Sequence, residues 1–238
     1  VGVLGMFNVV EACYKNKIKE LVVASSAEAY QTPKTIPTPE SEVLKVPDPS
    51  NPRYSYGASK LISEVIAMNC HREHFTKLQI FRPHNIYGPD MGSKHVIPQF
   101  ILRALDLAAS HPEGSIAFPI QGNGQETRAF CYIDDLIEAF MTMYQLGGHR
   151  EIYHLGNPEE VSVNQVVKEV FRNLKRDYTL VHEPVTAGSV NRRCPDIAKV
   201  AELGYRPNVN LSEGISRTFQ WYSAHREMVK GYRNLLWK

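Results

Sequence analysis

The sequence predicts an α/β fold with a parallel sheet, and three observations lead to this prediction. Short apolar runs rich in β-branched residues alternate with longer segments whose apolar residues recur at helical spacing. Serine, histidine and asparagine side chains follow two of these runs, at the strand ends where open parallel sheets bind ligands. A long proline-rich segment lies between the first run and the next helix, so the chain passes between parallel strands through a loop and a helix.

The composition is that of a globular protein. The 238 residues, 43% of them apolar, can bury the core of one large domain or of a domain with a smaller lobe. The net charge is only +2 and no basic tract is present, so we expect no nucleic-acid partner. The apolar runs are shorter than the roughly 18 residues that span a bilayer, and we find no leader pattern. We therefore expect a cytoplasmic protein without membrane contact.

The cysteines are too widely spaced for a metal or redox motif. They stand at positions Cys13, Cys70, Cys131 and Cys194. Because zinc and redox sites usually contain closely spaced pairs, we expect reduced thiols and no metal site.

The first elements alternate between helix and strand. Apolar spacing predicts a helix over 5–17, and the run over 20–26 predicts a central parallel strand. Six prolines fall within residues 31–53, which excludes a helix or central strand and predicts a long surface loop beside a candidate site. A helix should then run from Tyr56 to about His74, followed by a buried strand over 78–83.

The second part of the chain shows the same alternation. The patterns predict strands at 116–120, 127–133, 152–155 and 178–182, and helices at 95–110, 134–144, 162–174, before Leu203 and from Leu211. Ser162 and Gln165 form a capping box, and Asp134 with Asp135 should cap a helix. Asn210 fits a glycosylation sequon, but we interpret it as a helix cap completed by Glu213.

Tyr56 and Lys60 form a candidate catalytic pair. They are four residues apart, so on a helix they share a face. A neighbouring ammonium favours a phenolate, which would let tyrosine exchange a proton near neutral pH. This spacing is also common on solvated helix faces, and alone it would favour that interpretation. The strand ends bring Ser25, Ser26 and Asn85 to the same predicted sheet edge, which favours a site.

Five segments occur in one order along nearly the whole chain. They are Ser-Ser-Ala-Glu-Ala-Tyr at 25–30, Tyr-Gly-Ala-Ser-Lys at 56–60, Arg-Pro-His-Asn-Ile-Tyr-Gly-Pro at 82–89, the Gly-Asn-Gly and Thr-Arg-Ala-Phe motifs of 122–130, and Arg-Arg-Cys-Pro-Asp-Ile at 192–197. Together they resemble the extended short-chain dehydrogenase/reductase family, in its nucleotide-sugar epimerase and dehydratase branch.

The resemblance implies a partial Rossmann-type, doubly wound parallel sheet with a smaller C-terminal α/β substrate lobe. Residues 1–90 would form the C-terminal half of the NAD-binding domain, with the catalytic Tyr and Lys. Residues 91–238 would mainly form the nucleotide-sugar-binding lobe, with some segments returning to the sheet. Members of the family begin with a glycine-rich NAD-binding turn that has no counterpart here. We therefore expect a partial chain that binds NAD poorly.

The resemblance also implies roles for single residues. Tyr56 would take the hydroxyl proton as hydride leaves the sugar, Lys60 would hold the nicotinamide ribose, and Ser26 would hydrogen-bond the reacting oxygen. Cofactor contacts would come from Ala24, Ser25, Tyr56, Lys60, Pro83 and His84. Substrate contacts would come from Asn85, His95, Phe118, Ile120, Arg128 and Arg193, with the arginines on the diphosphate. Two alternatives remain open: Phe118 could simply pack in the core, and Arg128 could form a surface ion pair. His95 stands where many members of the family have an asparagine.

Glu28 bears on the choice of reaction. In the family, a glutamate two positions after the hydroxyl residue accompanies dehydration and decarboxylation, but the aspartate between them is Ala27 here. Some epimerases also carry the glutamate. We expect an NAD-dependent nucleotide-sugar epimerase that acts through a transient keto-sugar, with a 4,6-dehydratase or decarboxylase as the alternative. A second alternative is a non-catalytic relative that senses a dinucleotide or binds a partner. A homodimer is also implied by the resemblance.

Overall fold

A computed structural model of the chain describes residues 2–185 and 191–229. The helices are α1 Gly2–Lys15, α2 Ser55–Asn69, α3 Val96–Ser110, α4 Ile133–Leu146, α5 Val163–Leu174, α6 Ala198–Glu202 and α7 Leu211–Ala224. The strands are β1 Glu20–Ala24, β2 Lys77–Pro83, β3 Ile86–Tyr87, β4 Ile116–Gln121, β5 Thr127–Ala129, β6 Cys131–Tyr132, β7 Glu151–Leu155, β8 Glu160–Ser162, β9 Tyr178–Glu183 and β10 Arg192–Arg193. Two 3₁₀ turns, Ala27–Tyr30 and Pro52–Tyr54, flank the proline-rich loop.

The chain forms two compact units. Unit 1 comprises Val1–Asn85, Asp134–Pro158 and Arg193–Pro207, and unit 2 comprises Ile86–Ile133, Glu159–Arg192 and Asn208–Lys238. The catalytic candidates Ser26, Tyr56 and Lys60 therefore belong to unit 1.

Unit 1 is built on a three-stranded parallel sheet in the order β1-β2-β7. Successive residues of β2 point to opposite faces, because side chains alternate along a strand. Ile80 packs in a cluster with residues of α1 and α2, whereas Phe81 packs against the cluster of α4 and α6. The apolar strands are thus covered by helices on both faces, and the predicted doubly wound α/β arrangement with parallel strands is confirmed.

Unit 2 has smaller strand pairs and three long helices. Parallel pairing joins β4 with β9 and β3 with β6, and antiparallel pairing joins β5 with β8. Phe118 lies at the centre of the core, with its ring 5.5 Å from that of Phe100 and 5.1 Å from that of Phe171. The predicted capping box at Ser162 is confirmed, and Asn210 Oδ1 accepts from the Glu213 amide at 3.0 Å.

Three predicted boundaries are wrong. Helix α2 ends at Asn69 instead of near His74, because Cys70 is extended and His71 has a φ of 50°. Arg150 Nη2 binds the freed carbonyl of Met68 at 2.5 Å. The predicted strand over 127–133 is two strands, because β5 and β6 pair with different partners. Asp134 and Asp135 lie in the first turn of α4, after its start at Ile133, rather than at a cap position.

The proline-rich loop is anchored to unit 1, although the prediction of a surface loop holds for most of it. Thr38 is buried and bridges to Pro195, with its amide donating to the Cys194 carbonyl at 2.9 Å. Among the helices of the described residues, none combines the length and apolarity needed to cross a membrane. The four cysteines are free, and no cluster suited to a metal ion occurs within residues 2–185 and 191–229.

Candidate active site

Tyr56 and Lys60 lie together on the first turns of α2. Lys60 Nζ is 5.9 Å from the centroid of the Tyr56 ring, so the two side chains share a face as the spacing predicted. The same Nζ donates a hydrogen bond to the Ala24 carbonyl at 2.8 Å. This bond holds the face of α2 that carries Tyr56 and Lys60 at the carboxyl end of β1. Tyr56 is 53% exposed, so the described residues do not enclose its side chain.

Ser26 caps the 3₁₀ turn that follows β1. Its side-chain oxygen accepts a hydrogen bond from the Glu28 amide at 3.1 Å. Since a hydroxyl can accept and donate at once, the Ser26 proton remains available to a second acceptor. The Glu28 carboxylate forms an ion pair with the Arg193 guanidinium. The structure therefore joins two residues to which the resemblance gives separate roles.

Gly57 lets α2 approach this turn closely. A Cβ atom at Gly57 would overlap the Gln31 amide nitrogen and the Glu28 carbonyl oxygen. Because the Glu28 carbonyl belongs to the backbone, the turn would have to shift to make room. A glycine at position 57 is thus required for the close approach between the 3₁₀ turn Ala27–Tyr30 and the face of α2 that carries Tyr56 and Lys60.

A buried ion pair lies beneath the site. Arg82, on β2, donates from Nη2 to Glu64 Oε2 at 2.6 Å and from Nε to Oε1 at 2.9 Å. Both side chains are almost fully buried. Ser25 also donates its hydroxyl proton to the Glu64 carboxylate. Burial would lower the pKa of Arg82, but the hydrogen bonds and charge of Glu64 outweigh it and raise that pKa. The pair ties the end of β1 to both α2 and β2.

The network continues through Tyr30 to His154. Arg82 Nη1 donates to the Tyr30 hydroxyl, which lies 2.7 Å from His154 Nε2. His154 Nδ1 lies 3.0 Å from the Asp196 carbonyl and must donate to it, so Nε2 accepts the Tyr30 proton. Burial raises the pKa of Tyr30 to about 12 and lowers the pKa of His154 to about 4. Both groups are therefore neutral near pH 7.

The same network holds the proline-rich loop. Glu40, in that loop, accepts from the His154 amide at 2.9 Å through Oε1 and from Arg82 Nη1 at 2.9 Å through its backbone carbonyl. Sequence patterns did not identify the members of this network, which are Tyr30, Glu40, Glu64, Arg82 and His154. Two features of the sequence could have indicated this network. Arg82 is a charged residue within an apolar strand, and Glu64 follows Lys60 by one helical turn.

His84 extends from the end of β2 into the interior of unit 1. It is 1% exposed, and neither ring nitrogen has a hydrogen-bond partner among the described residues. Its ring centroid is 4.5 Å from that of His154. Burial, with the nearby charges, holds the pKa of His84 well below its usual value. The next residue, Asn85, has a φ of 44°, a left-handed conformation that asparagine tolerates better than most residues.

Unit 1 contains the sequence-predicted residues Ala24, Ser25, Ser26, Glu28, Tyr56, Lys60, Pro83, His84, Asn85 and Arg193, and unit 2 contains His95, Phe118, Ile120 and Arg128. His95 is an exposed residue that precedes α3 without a side-chain cap bond. Phe118 and Ile120 are fully buried in the core of unit 2, which matches the core-packing alternative for Phe118. Arg128 is half-buried, and its Nη1 donates to the Thr127 carbonyl at 2.7 Å.

Arg128 lines a cavity of about 380 Å³ within unit 2. The same cavity is lined by Arg103, Gln121 and Glu126, which sequence patterns did not single out. Arg103 could have been found from the sequence, because it is a charged residue within the apolar pattern of α3.

A family model matches more than half of the chain. Residues 1–156 match the NAD dependent epimerase/dehydratase family. The chain belongs to this family, and the family resemblance seen in the motifs is confirmed.

Relatives of the chain include enzymes for three reactions. The human dTDP-D-glucose 4,6-dehydratase is 29% identical over 242 residues, which cover 99% of this chain and 64% of that protein. The UDP-glucuronic acid decarboxylase 6 of Arabidopsis thaliana is 31% identical over 198 residues, covering 82% of this chain and 55% of that protein. The chain thus spans less than two thirds of the length of these relatives.

A solved structure of an epimerase has the same fold. The UDP-glucose 4-epimerase of Thermotoga maritima, crystallised with UDP-glucose, superposes with a TM-score of 0.80 at 26% identity. The match covers 94% of this chain and 70% of the epimerase.

Proposed function

We propose that the chain carries the catalytic part of an NAD-dependent nucleotide-sugar epimerase. The observation that carries the proposal is the position of Lys60, which lies beside the Tyr56 ring and binds the Ala24 carbonyl. This arrangement holds a half-exposed phenol and an ammonium at the end of a parallel strand, where such sheets bind ligands.

The reaction that we propose uses three side chains for proton transfer. Tyr56 takes the proton of the sugar hydroxyl, and the Lys60 ammonium stabilises the phenolate that precedes this step. Ser26 donates its free hydroxyl proton to the same oxygen as that oxygen becomes a carbonyl. Tyr56 returns the proton when the carbonyl is reduced again. NAD, when bound, supplies the reversible hydride acceptor for this chemistry.

The residues of unit 1 fit such a cofactor. His84 is buried at the end of β2, and neither ring nitrogen has a partner within residues 2–185 and 191–229. An unpaired polar group in the interior is costly unless a ligand or water completes it. We propose that His84, Pro83, Ala24, Ser25, Tyr56 and Lys60 contact NAD. From the family resemblance we propose substrate-binding roles for Asn85 and Arg193 of unit 1 and, separately, for His95, Phe118, Ile120 and Arg128 of unit 2.

Two observations at the 3₁₀ turn bear on the reaction. Ala27 is buried and has no acidic group, so it cannot protonate a leaving hydroxyl, which favours epimerisation. Glu28 keeps a carboxylate near Ser26, which is the observation in favour of a dehydratase or decarboxylase. That carboxylate forms an ion pair with the Arg193 guanidinium.

The test is product analysis with a panel of sugar nucleotides and added NAD. Epimerisation leaves the mass unchanged and alters the NMR spectrum, whereas dehydration loses the mass of one water and decarboxylation that of carbon dioxide. Tyr56→Phe should reduce turnover by roughly a hundredfold or more, because the proton acceptor is lost. Tyr54→Phe, the matched control, should retain turnover. Equal activity of Tyr56→Phe and the parent chain would favour the non-catalytic alternative.

We also propose a homodimer formed through α1 and α2, and a cytoplasmic location. The dimer is supported by apolar side chains that these helices leave exposed, among them Leu4 at 75% and Val65 at 53%. The location is supported by the four cysteines, none of which is in a disulfide, since disulfides are rare in the cytosol.

A further inference from the structure

Four charged residues line the cavity of unit 2, and two of them, Arg103 and Glu126, are the subject of this inference. It is lined by Phe100, Arg103, Gln121, Glu126, Arg128 and Glu183, among others. Its volume of about 380 Å³ lies within the range of small-molecule sites. Between Arg103 and Glu126, no ion pair occurs in the structure of the described residues.

Arg103 is placed on aromatic rings, and the Glu183 carboxylate of the same cavity acts on it through its charge, without an ion pair among the described residues. The centre of its guanidinium is 4.6 Å from the Phe118 ring centroid and 5.1 Å from that of Phe100. Its Nε is buried and makes no hydrogen bond to any residue within 2–185 and 191–229. A buried, unsatisfied guanidinium donor costs stability. Such a group is explained if a ligand supplies the missing acceptors.

Glu126 presents the complementary groups. Its Oε2 is buried and likewise lacks a hydrogen-bond partner in the described part of the chain. The carboxylate occupies the space where a side chain at Gly122 would begin, so the turn holds it in place. The Glu126 carbonyl also accepts from the Val163 amide at 3.1 Å, which fixes its backbone. The cavity therefore offers a fork of donors and a pair of acceptors in fixed positions.

Guanine matches this set of groups better than uracil, thymine or adenine. Its O6 and N7 atoms form a pair of acceptors that an arginine fork binds two at a time. Its N1–H and N2–H groups form a pair of donors that one carboxylate can accept. Uracil and thymine have a single N–H between two carbonyls, so a carboxylate there would meet oxygen as well as hydrogen. Adenine has no carbonyl oxygen for the arginine fork.

We infer that the cavity of Arg103 and Glu126 binds guanine, and that the substrate is a GDP-sugar. This inference rests on the proposed function, because that proposal supplies a nucleotide-binding role for Arg128 in the same cavity. The inference adds two residues that determine specificity. Arg103 would bind the O6 and N7 edge of guanine, and Glu126 would bind its N1 and N2 edge.

The test is calorimetric titration of the 238-residue chain with GDP, UDP, dTDP, CDP and ADP, without NAD. GDP should bind at least about tenfold more tightly than the others, as expected for a two-point base contact. Arg103→Lys keeps the charge but removes the fork, and should lower GDP affinity by roughly tenfold to a hundredfold. Glu126→Gln should also lower the preference for GDP. Arg172→Gln, at an exposed arginine of the same unit, is the matched control and should bind GDP like the parent.

The outcomes separate this inference from the proposed reaction. Equal or tighter binding of UDP or dTDP overturns the guanine inference and leaves the reaction unaffected. GDP binding that Arg103→Lys leaves unchanged overturns the role of the arginine fork. Selective GDP binding without turnover of any sugar nucleotide contradicts the reaction and supports the inference. Failure of every nucleoside diphosphate to bind, with a folded chain by circular dichroism, contradicts both.

Discussion

At the scale of single residues, Arg82 and Glu64 determine how the strand ends are held beneath the site. Taking two charges out of water is costly, and the attraction between them compensates only when both partners are present and well bonded. Here Glu64 accepts from Arg82 and from the Ser25 hydroxyl, and Arg82 also donates to Tyr30. Loss of one partner would leave the other charge buried without compensation.

We expect Arg82→Met to lower the free energy of unfolding by about 3 to 5 kcal/mol, the usual cost of breaking a buried pair from one side. The double variant Glu64→Leu with Arg82→Met should recover part of that loss, because no charge remains buried. Urea denaturation measures both values. The control Arg172→Met, at a side chain that is 70% exposed, should change the free energy by less than about 0.5 kcal/mol. A similarly small effect of Arg82→Met would contradict the prediction.

The predictive power of the sequence differs between pairs of residues. Tyr56 and Lys60 could be paired from the sequence because both lie on one helix, where spacing determines which side chains meet. Arg82 and Tyr30 are 52 positions apart, and Arg103 meets Phe118 from another element. Local sequence patterns do not predict contacts between residues so far apart. A charged residue within an apolar run, such as Arg82 or Arg103, is nevertheless recognisable as unusual.

At the scale of elements, the exposed apolar face of α1 and α2 calls for a partner. The two helices pack on each other, since Tyr14 of α1 stacks on His71 just beyond α2, at 3.9 Å between ring centroids. Leu4 and Phe7 remain exposed on α1, as do Ile62 and Val65 on α2. Contiguous exposed apolar surface of this kind is typical of protein interfaces.

We expect Leu4→Glu to convert the homodimer that we propose to a monomer, because a carboxylate at this position would have to be buried in an apolar interface. Sedimentation velocity measures the change. The matched control is Val43→Glu, an isolated apolar residue that is 71% exposed in the proline-rich loop. A parent chain that sediments as a monomer at all concentrations would rule out this interface.

Element boundaries show where sequence patterns stop being informative. Periodicity predicted most helices and strands, because burial of one face imposes a period on the local sequence. The end of α2 is set by Cys70, His71 and the distant Arg150, and the break at Phe130 arises because β5 and β6 have different partners. Both features depend on tertiary contacts that no window of the sequence contains.

At the scale of the whole molecule, two buried histidines make the stability of unit 1 depend on pH. His154 has a folded-state pKa of about 4, and that of His84 is also well below its usual value. In the unfolded chain both should titrate at about 6.5. At pH values between the folded-state and unfolded-state pKa values, the unfolded chain binds more protons than the folded chain, so a fall in pH favours unfolding. His154 faces Tyr30, Arg82, Glu64 and the Asp196 carbonyl, and none of these groups removes the cost of charging it while it remains buried.

We expect the free energy of unfolding to be nearly constant from about pH 8 to about pH 7, and to fall below about pH 6.5 by about 1 kcal/mol per pH unit for each histidine. The loss attributable to His154 should end near pH 4, where the folded state also takes up the proton. Urea denaturation at a series of pH values measures the slope. His154→Gln should reduce the slope, whereas His95→Gln, at an exposed histidine, should leave it unchanged. A slope that is the same in all three chains would mean that the acid sensitivity arises elsewhere.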